Sequence, residues 1–261
     1  MRTSVVAHLR KLKKNNLKDY YRPRISKQEW ALVKESRING VNNVLVIGDL
    51  HEPFCLEGYL EHCIETYEKF NCNQVVFIGD LIDNHYSSFH TADPDGYGAG
   101  DELDRAIDKI QVWYNHFPIA KICLGNHDLI VRRKCFESQI SKRWVRDYGD
   151  VLGTPDWDFK EVHKIDDVIY THGTGTSGRN AAANKALQFS QPTVQGHIHT
   201  EASVIMSGEH YGVQVGCGVD RQAYAMAYAK FFPKPYKISC AVILNNGQIP
   251  LILPLTTLSK Q

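Results

Sequence analysis

Five short blocks of carboxylate, imidazole and amide side chains recur along the chain: Gly48-Asp49-Leu50-His51, Gly79-Asp80-Leu81-Ile82-Asp83-Asn84, Gly125-Asn126-His127-Asp128, Thr171-His172-Gly173 and Gly196-His197-Ile198-His199. The chemistry open to such residues is metal binding. Asp49 with His51, and His197 with His199, are spaced i and i+2. In extended backbone both members of such a pair point to one side and can grip one ion together. Asp80 has two carboxylate oxygens to share and can bridge two cations. Asn126 offers a neutral amide oxygen, and Gly125 lets backbone approach closely. Taken singly, an Asp or His after a buried strand is more often a turn residue or a satisfied core histidine. Five such blocks, each behind a short apolar run, argue for one shared site.

The elements that must position them follow from those runs. Residues 44–47, 75–78, 119–124, 168–170 and 193–195 read as strands buried on both faces. Between them Leu56, Leu60, Ile64 and Tyr67 recur at helical spacing, as do Leu103, Ile107, Ile110, Tyr114 and Phe117. Alternating strand and helix predicts α/β layering, with the blocks at strand ends where open sheets place their sites. An Ala-rich, helix-like stretch follows the loop at 173–180. After His199 the pattern becomes strand-like at 202–206, 211–215, 238–244 and 249–253, with Asn245-Asn246-Gly247 as a hairpin turn.

At 261 residues, 43% hydrophobic and 10% aromatic, the chain can bury one large core. No apolar run approaches the roughly 20 residues of a membrane helix, and the amino terminus lacks a secretory pattern, so a soluble cytoplasmic protein without a membrane partner is expected. The seven cysteines are scattered without a C-x-x-C pair, which indicates neither a disulfide framework nor a zinc ribbon. Residues 1–24 carry eight Lys and Arg against Asp19, leaving 22 basic and 28 acidic residues beyond. Residues 1–40 thus read as a basic arm with a short helix at 27–35, and 41–261 as the domain. The arm is either a solvated extension or a contact to nucleic acid phosphates.

In order and type the blocks resemble the signature of the calcineurin-like metallophosphoesterases, D-x-H, G-D-x-x-D, G-N-H-D/E, H and G-H-x-H, over residues 43–200. Gly48-Asp49-Leu50-His51-Glu52-Pro53-Phe54 is similar to the compact stand-alone members of bacteria and phages. The resemblance implies an α/β four-layer sandwich, two central mixed β-sheets flanked by helices. It implies one metal on Asp49, His51, Asp80 and His199 and a second on Asp80, Asn126, His172 and His197. Mixed nitrogen and oxygen donors suit two divalent transition-metal ions, manganese first, or Fe, Zn, Ni or Co. Such a pair generates hydroxide near neutral pH, so the implied nucleophile is a metal-bound hydroxide. His127 would serve the leaving oxygen, and Asp83 would accept from the His127 ring; Asp83 is equally suited to cap a helix.

The departures narrow the reading. Protein serine/threonine phosphatases follow the second aspartate with Arg-Gly, and Asn84-His85 stands here instead, which argues against a close protein phosphatase. Only 62 residues follow His199, short of the extra domain of repair nucleases. Asn84 and Arg179 are candidate substrate contacts. Arg179 sits in a Gly- and hydroxyl-rich turn that resembles an anion site, or else an ordinary exposed loop; His85 and His90 are further candidates. The expected activity is hydrolysis of a phosphomonoester or phosphodiester of a small or nucleotide-like substrate. The alternatives are a nuclease using the basic arm and a metal-bound interaction module without turnover, for which His127 and Asp83 would have no use. Oligomeric state is not legible.

Overall fold

β-Branched runs build two sheets, and their alternation decides what each sheet faces. The computed structural model describes residues 40–88, 93–229 and 235–255; the basic arm, the helix expected at 27–35, and His90 lie outside them. In the first sheet β1 (Val44–Ile47), β2 (Gln74–Phe77), β3 (Lys121–Cys123) and β4 (Asp158–Lys160) run parallel. The strands β10 (Ser239–Leu244) and β11 (Ile249–Pro254) extend it antiparallel, in the order β11-β10-β1-β2-β3-β4. The second sheet contains β5 (Val162–Ile165), β6 (Val168–Thr171), β7 (Thr193–Gln195), β8 (Ser203–Ser207) and β9 (His210–Gln214), ordered β5-β6-β7-β9-β8. Its β6, β7 and β9 are parallel and its two edges antiparallel.

Side chains of period two sort into layers. Val44, Val46, Val76, Ile78 and Cys123 of the first sheet pack against Val168, Tyr170, Val194, Val213 and Val215 of the second. Phe77 turns to the outer face, where it meets Trp113, Phe117 and Trp157. Each such fully buried side chain contributes about 1.5–3 kcal/mol. Trp113 belongs to α2 (Ala99–His116), which with α1 (Tyr59–Lys69) covers that outer face. Behind the second sheet lies α5 (Ala181–Phe189), so close that a Cβ at Gly212 would run into the backbone of Ala182 and Ala183. Helix, sheet, sheet and helix make the four layers. Two short helices, α3 (Ile130–Glu137) and α4 (Tyr148–Leu152), follow β3.

The expected Tyr67, Ile110 and Phe117 are buried, but the rest of each helical stripe is shifted. In α1 the buried residues are Tyr59, Cys63, Thr66 and Tyr67, whereas Leu60 and Ile64 are half-buried. The tyrosine wins because its hydroxyl accepts from Gly48 N at 3.0 Å and donates to Ser239 O at 2.8 Å, which removes the usual cost of burying it. In α2 the stripe is Glu102, Ala106, Ile110 and Trp113, with Leu103, Ile107 and Tyr114 on its flank. Strands β4 and β5 went unexpected because edge strands carry exposed polar residues such as Asp158, Lys160 and Lys164. All cysteines within the described residues are free thiols. Among the described residues no helix is long and apolar enough to cross a membrane.

Candidate metal centre

The five blocks begin where the strand ladders stop. Leu50 N and His51 N, just past β1, both donate to Asp80 O, just past β2, at 3.1 and 2.9 Å. Asp49 pairs across to Cys217 beyond β9 as an isolated bridge, which draws the first sheet to the end of the second. Leaving the ladder turns His51, Asp80, Asn84 and His197 into left-handed backbone, at φ 50°, 48°, 52° and 71°. A side chain there costs on the order of 1 kcal/mol per residue, strain of the kind that surrounding structure holds at functional sites. Two glycines make room: a Cβ at Gly125 would strike the Asp80 carboxylate, and one at Gly196 the Asp49 carboxylate.

Three donor groups form here, each with ligand atoms within 4.8 Å of one another: Asp49, His51 and His199; His51, Asp80 and His127; and Asp80, His172 and His197. Asp80 joins two of them. Its Oδ2 lies 3.1 Å from His172 Nε2 and 3.6 Å from His51 Nε2, and its Oδ1 accepts from His127 N at 2.8 Å. Asn126 Oδ1 is 3.0 Å from His172 Nε2. Asp49 Oδ2 accepts from His197 N at 2.8 Å and lies 3.2 Å from His199 Nε2. His172 Nδ1 donates to Ile78 O at 3.1 Å, and His51 Nδ1 donates to Asp83 Oδ1 at 2.5 Å. With Nδ1 committed as donor, both rings direct Nε2 into the ligand cluster, the orientation that outer partners impose on metal-binding histidines.

The donor set fits divalent cations. Asp49 and Asp80 are 0% and 1% exposed, yet Asp49 Oδ1 and His51 Nε2 are buried without any hydrogen-bond partner. Unpaired buried polar atoms are costly, and an ion between them would satisfy both. The electrostatics agree. Burial alone would lower His172, but the Asp80 and Asp49 charges outweigh it and carry the ring up to about 9. Burial opposes ionisation of Asp80 too, and His172 and His127 overcome it, holding the carboxyl well below its usual range. Burial and then the neighbouring ring, His127 for His51 and His172 for His197, push those two imidazoles down toward the neutral form that ligates metal. Burial alone would also lower His127; the Asp80 and Asp83 carboxylates outweigh it and raise the ring. The centre demands positive charge, and cations supply it.

Asp83 and His127 meet differently from the expectation. His127 Nδ1 is held by the main-chain carbonyl of Asp83 at 2.6 Å, with the nearer carboxylate oxygen at 3.4 Å. That carboxylate turns instead to His51, because the left-handed turn at Asn84 swings the Asp83 carbonyl toward the Gly125–Asp128 loop. Asn84 reinforces the same junction, its amide donating to His127 O at 3.1 Å. Arg179 sits exposed in the turn before α5 and shares no hydrogen bond or ion pair with the ligand set among the described residues.

Three polar residues that support the site had no assigned role in the sequence. The Asp128 carboxylate accepts from Asp80 N, Leu81 N and Gly125 N at 2.8, 3.0 and 2.8 Å, tying two ligand loops together; burial, with the Asp80 charge, pushes it up to about 7. Glu102, likewise pushed up to about 7 by burial, takes His85 N at 2.7 Å and seats His85 with Nδ1 3.8 Å from Asp83 Oδ2. Gln214 receives from Gln195 at 3.1 Å and donates to the carbonyl of Gly196, fixing the His197 turn. The aspartate of the G-N-H-D block was the one visible signal.

The sequence model of the calcineurin-like phosphoesterases matches residues 43–216. Among solved structures, vacuolar protein sorting 29 from Cryptosporidium parvum is 15% identical, covering 83% of this chain and 93% of that one at a TM-score of 0.49. Wild-type Vps29 complexed with zinc from Entamoeba histolytica is 18% identical, with 84% and 94% covered and a TM-score of 0.43. The phosphoesterase Yfce from E. coli is 13% identical, with 82% and 100% covered and a TM-score of 0.40. No curated protein matches the chain. A family match across most of the domain, laid over the strand ends that carry the ligand blocks, makes this chain a member of the calcineurin-like phosphoesterases, which are metal-dependent enzymes.

Proposed function

We propose that the chain hydrolyses phosphomonoesters or phosphodiesters of small or nucleotide-like substrates with two divalent cations. The observation that supports this is the pair of buried ligand atoms, Asp49 Oδ1 and His51 Nε2, that make no hydrogen bond among the described residues, beside the Asp80 carboxylate that joins two donor groups. Asp49, His51, Asp80 and His199 would hold one ion, and Asp80, Asn126, His172 and His197 the other, with manganese the first choice. Ions held by these residues would supply Lewis acidity, for a phosphoryl oxygen and for water. The chain's own residues do the rest. With Nδ1–H donating to the Asp83 carbonyl, His127 would exchange protons at Nε2, the atom available to serve a leaving oxygen. Asp83 keeps the His51 ring in the tautomer whose Nε2 faces the ion.

The test is turnover of nitrophenyl monoesters and diesters and of 2′,3′-cyclic nucleotides by protein stripped of metal and then reloaded with Mn, Ni or Zn. Chelation should abolish activity and manganese should restore it. His127→Ala should lower kcat by about a hundredfold or more while two ions per chain remain bound. Near-wild-type turnover of a poor leaving group by that variant removes His127 from the reaction. Absence of turnover with every metal overturns the proposal in favour of a metal-bound interaction module.

A further inference from the structure

The segment that leaves the metal centre carries a surface the hydrolytic reading does not use. Helix α3 grows directly out of the Gly125–Asp128 loop, with Leu129 N donating to Gly125 O at 3.1 Å and Ile130 N to His127 O at 3.2 Å. It packs against the 3₁₀ turn Lys142–Trp144. Residues 130–146 hold six Lys and Arg, namely Arg132, Arg133, Lys134, Lys142, Arg143 and Arg146, against one acid, Glu137. This happens in a chain that beyond residue 24 has 22 basic and 28 acidic residues, so the segment runs against its surroundings. Among the described residues Phe136 and Trp144 are also the most exposed large apolar side chains, at 83% and 85%.

A single exposed ring needs no explanation, but two on elements that pack together, interleaved in sequence with cations, have the makings of a binding surface. The local ion pairs do not use up the charge. Arg132 reaches Asp147 at 3.4 Å, and Arg133 Nε, itself buried, reaches Glu137 at 4.0 Å; both contacts are long and both acids exposed, so neither pair is worth much. At 1.5 Å rise per residue, Phe136 stands about 9 Å along the helix from Ile130, whose own turn borders His127.

We infer that this ridge docks single-stranded nucleic acid, with backbone phosphates on its Lys and Arg and bases stacked on Trp144 and Phe136. Sequence-tolerant binders of single strands combine these two components, because every base offers a π-face. An acidic peptide would match the charge but leave both rings without a planar partner, and a duplex hides its base faces. Docking depends on the ridge alone. Delivery of a phosphodiester to the metal centre rests on the hydrolytic reading proposed above.

The experiment is fluorescence anisotropy of a labelled oligothymidylate with the full, metal-loaded chain, the probe being checked for integrity on a gel. Bis-nitrophenyl phosphate turnover is measured in parallel. Binding should weaken with salt, and Lys142→Ala with Arg143→Ala should reduce the log–log salt slope by about 1.4. Trp144→Ala and Phe136→Ala should each weaken binding at least about fivefold and leave nitrophenyl turnover unchanged. Binding that is absent at low salt, or equally tight in the Trp144→Ala, Phe136→Ala double variant, overturns the assignment, including where the basic arm carries the strand. Equal affinity for polyglutamate or for duplex DNA overturns it too. Ring-dependent binding without any ester hydrolysis upholds the docking and defeats the hydrolytic reading alone.

Discussion

The two halves of the metal centre are held by different means. Around Asp80 the protein supplies nearly every contact: Asp128 takes the Asp80 and Gly125 amides, His127 N reaches Asp80 Oδ1, and Asn84 spans to the His127 carbonyl. Around Asp49 one oxygen receives His197 N and neighbours His199, while the other makes no hydrogen bond among the described residues and has only the His172 ring at 4.0 Å. The hydrogen bonds of the first half join loops behind neighbouring parallel strands of one sheet, with His172 reaching it from the other. The second spans the seam between sheets. A centre built this way has one side set before any ion arrives and another that the ion completes.

The strongest challenge to that contrast is Asp128→Ala, which strands three buried N–H groups on the side set by protein. At about 1 kcal/mol or more for each, stability should fall by at least about 3 kcal/mol, read by urea unfolding of the metal-free chain. A variant as stable as the parent would mean that this half is not set in advance. Asp83→Asn probes the join between the halves, since Asp83 orients His51. Metal affinity should drop about 10- to 100-fold by titration, with kcat recovering once the ions are saturating. A loss of kcat that saturation leaves in place would instead couple the Asp83 carboxylate to His127. The mildest is Gln214→Ala, which releases the Gly196 carbonyl on the seam side. About 1 kcal/mol should be lost, with most of it recovered on adding metal. An equal loss with and without metal would erase the distinction between the two sides.

Much of this was legible in local sequence, because a ligand block is a strand end followed by its own donors. Runs such as 44–47 and 193–195 fell where β1 and β7 stand, and Asn245-Asn246-Gly247 turned between β10 and β11 in left-handed backbone. What was not legible depends on partners far away in the chain. Tyr59 displaced Leu60 from the core only because Ser239 O and Gly48 N were there to meet its hydroxyl. Glu102 and Gln214 look like surface residues until His85 N and the Gly196 carbonyl are placed beside them. As the second aspartate of G-D-x-x-D, Asp83 is expected to accept from His127, but the turn at Asn84 brings that ring its carbonyl at closer range, while the carboxylate, 3.4 Å from His127, bonds His51. The ridge at 130–146 could not be seen, since Phe136 and Trp144 look like core residues in a one-dimensional string.

The bridge from Asp49 to Cys217 and the bond from His197 N to Asp49 tie the ligands of one sheet to those of the other. An ion held between Asp49 and His199, as proposed, would act as a gauge of sheet spacing. Any change in the valine-rich layer between the sheets, at Val46 or Val213 for instance, alters the distance the ion must bridge. On that proposal metal affinity would be a readout of interior packing, and substitutions that never touch a ligand should register in it.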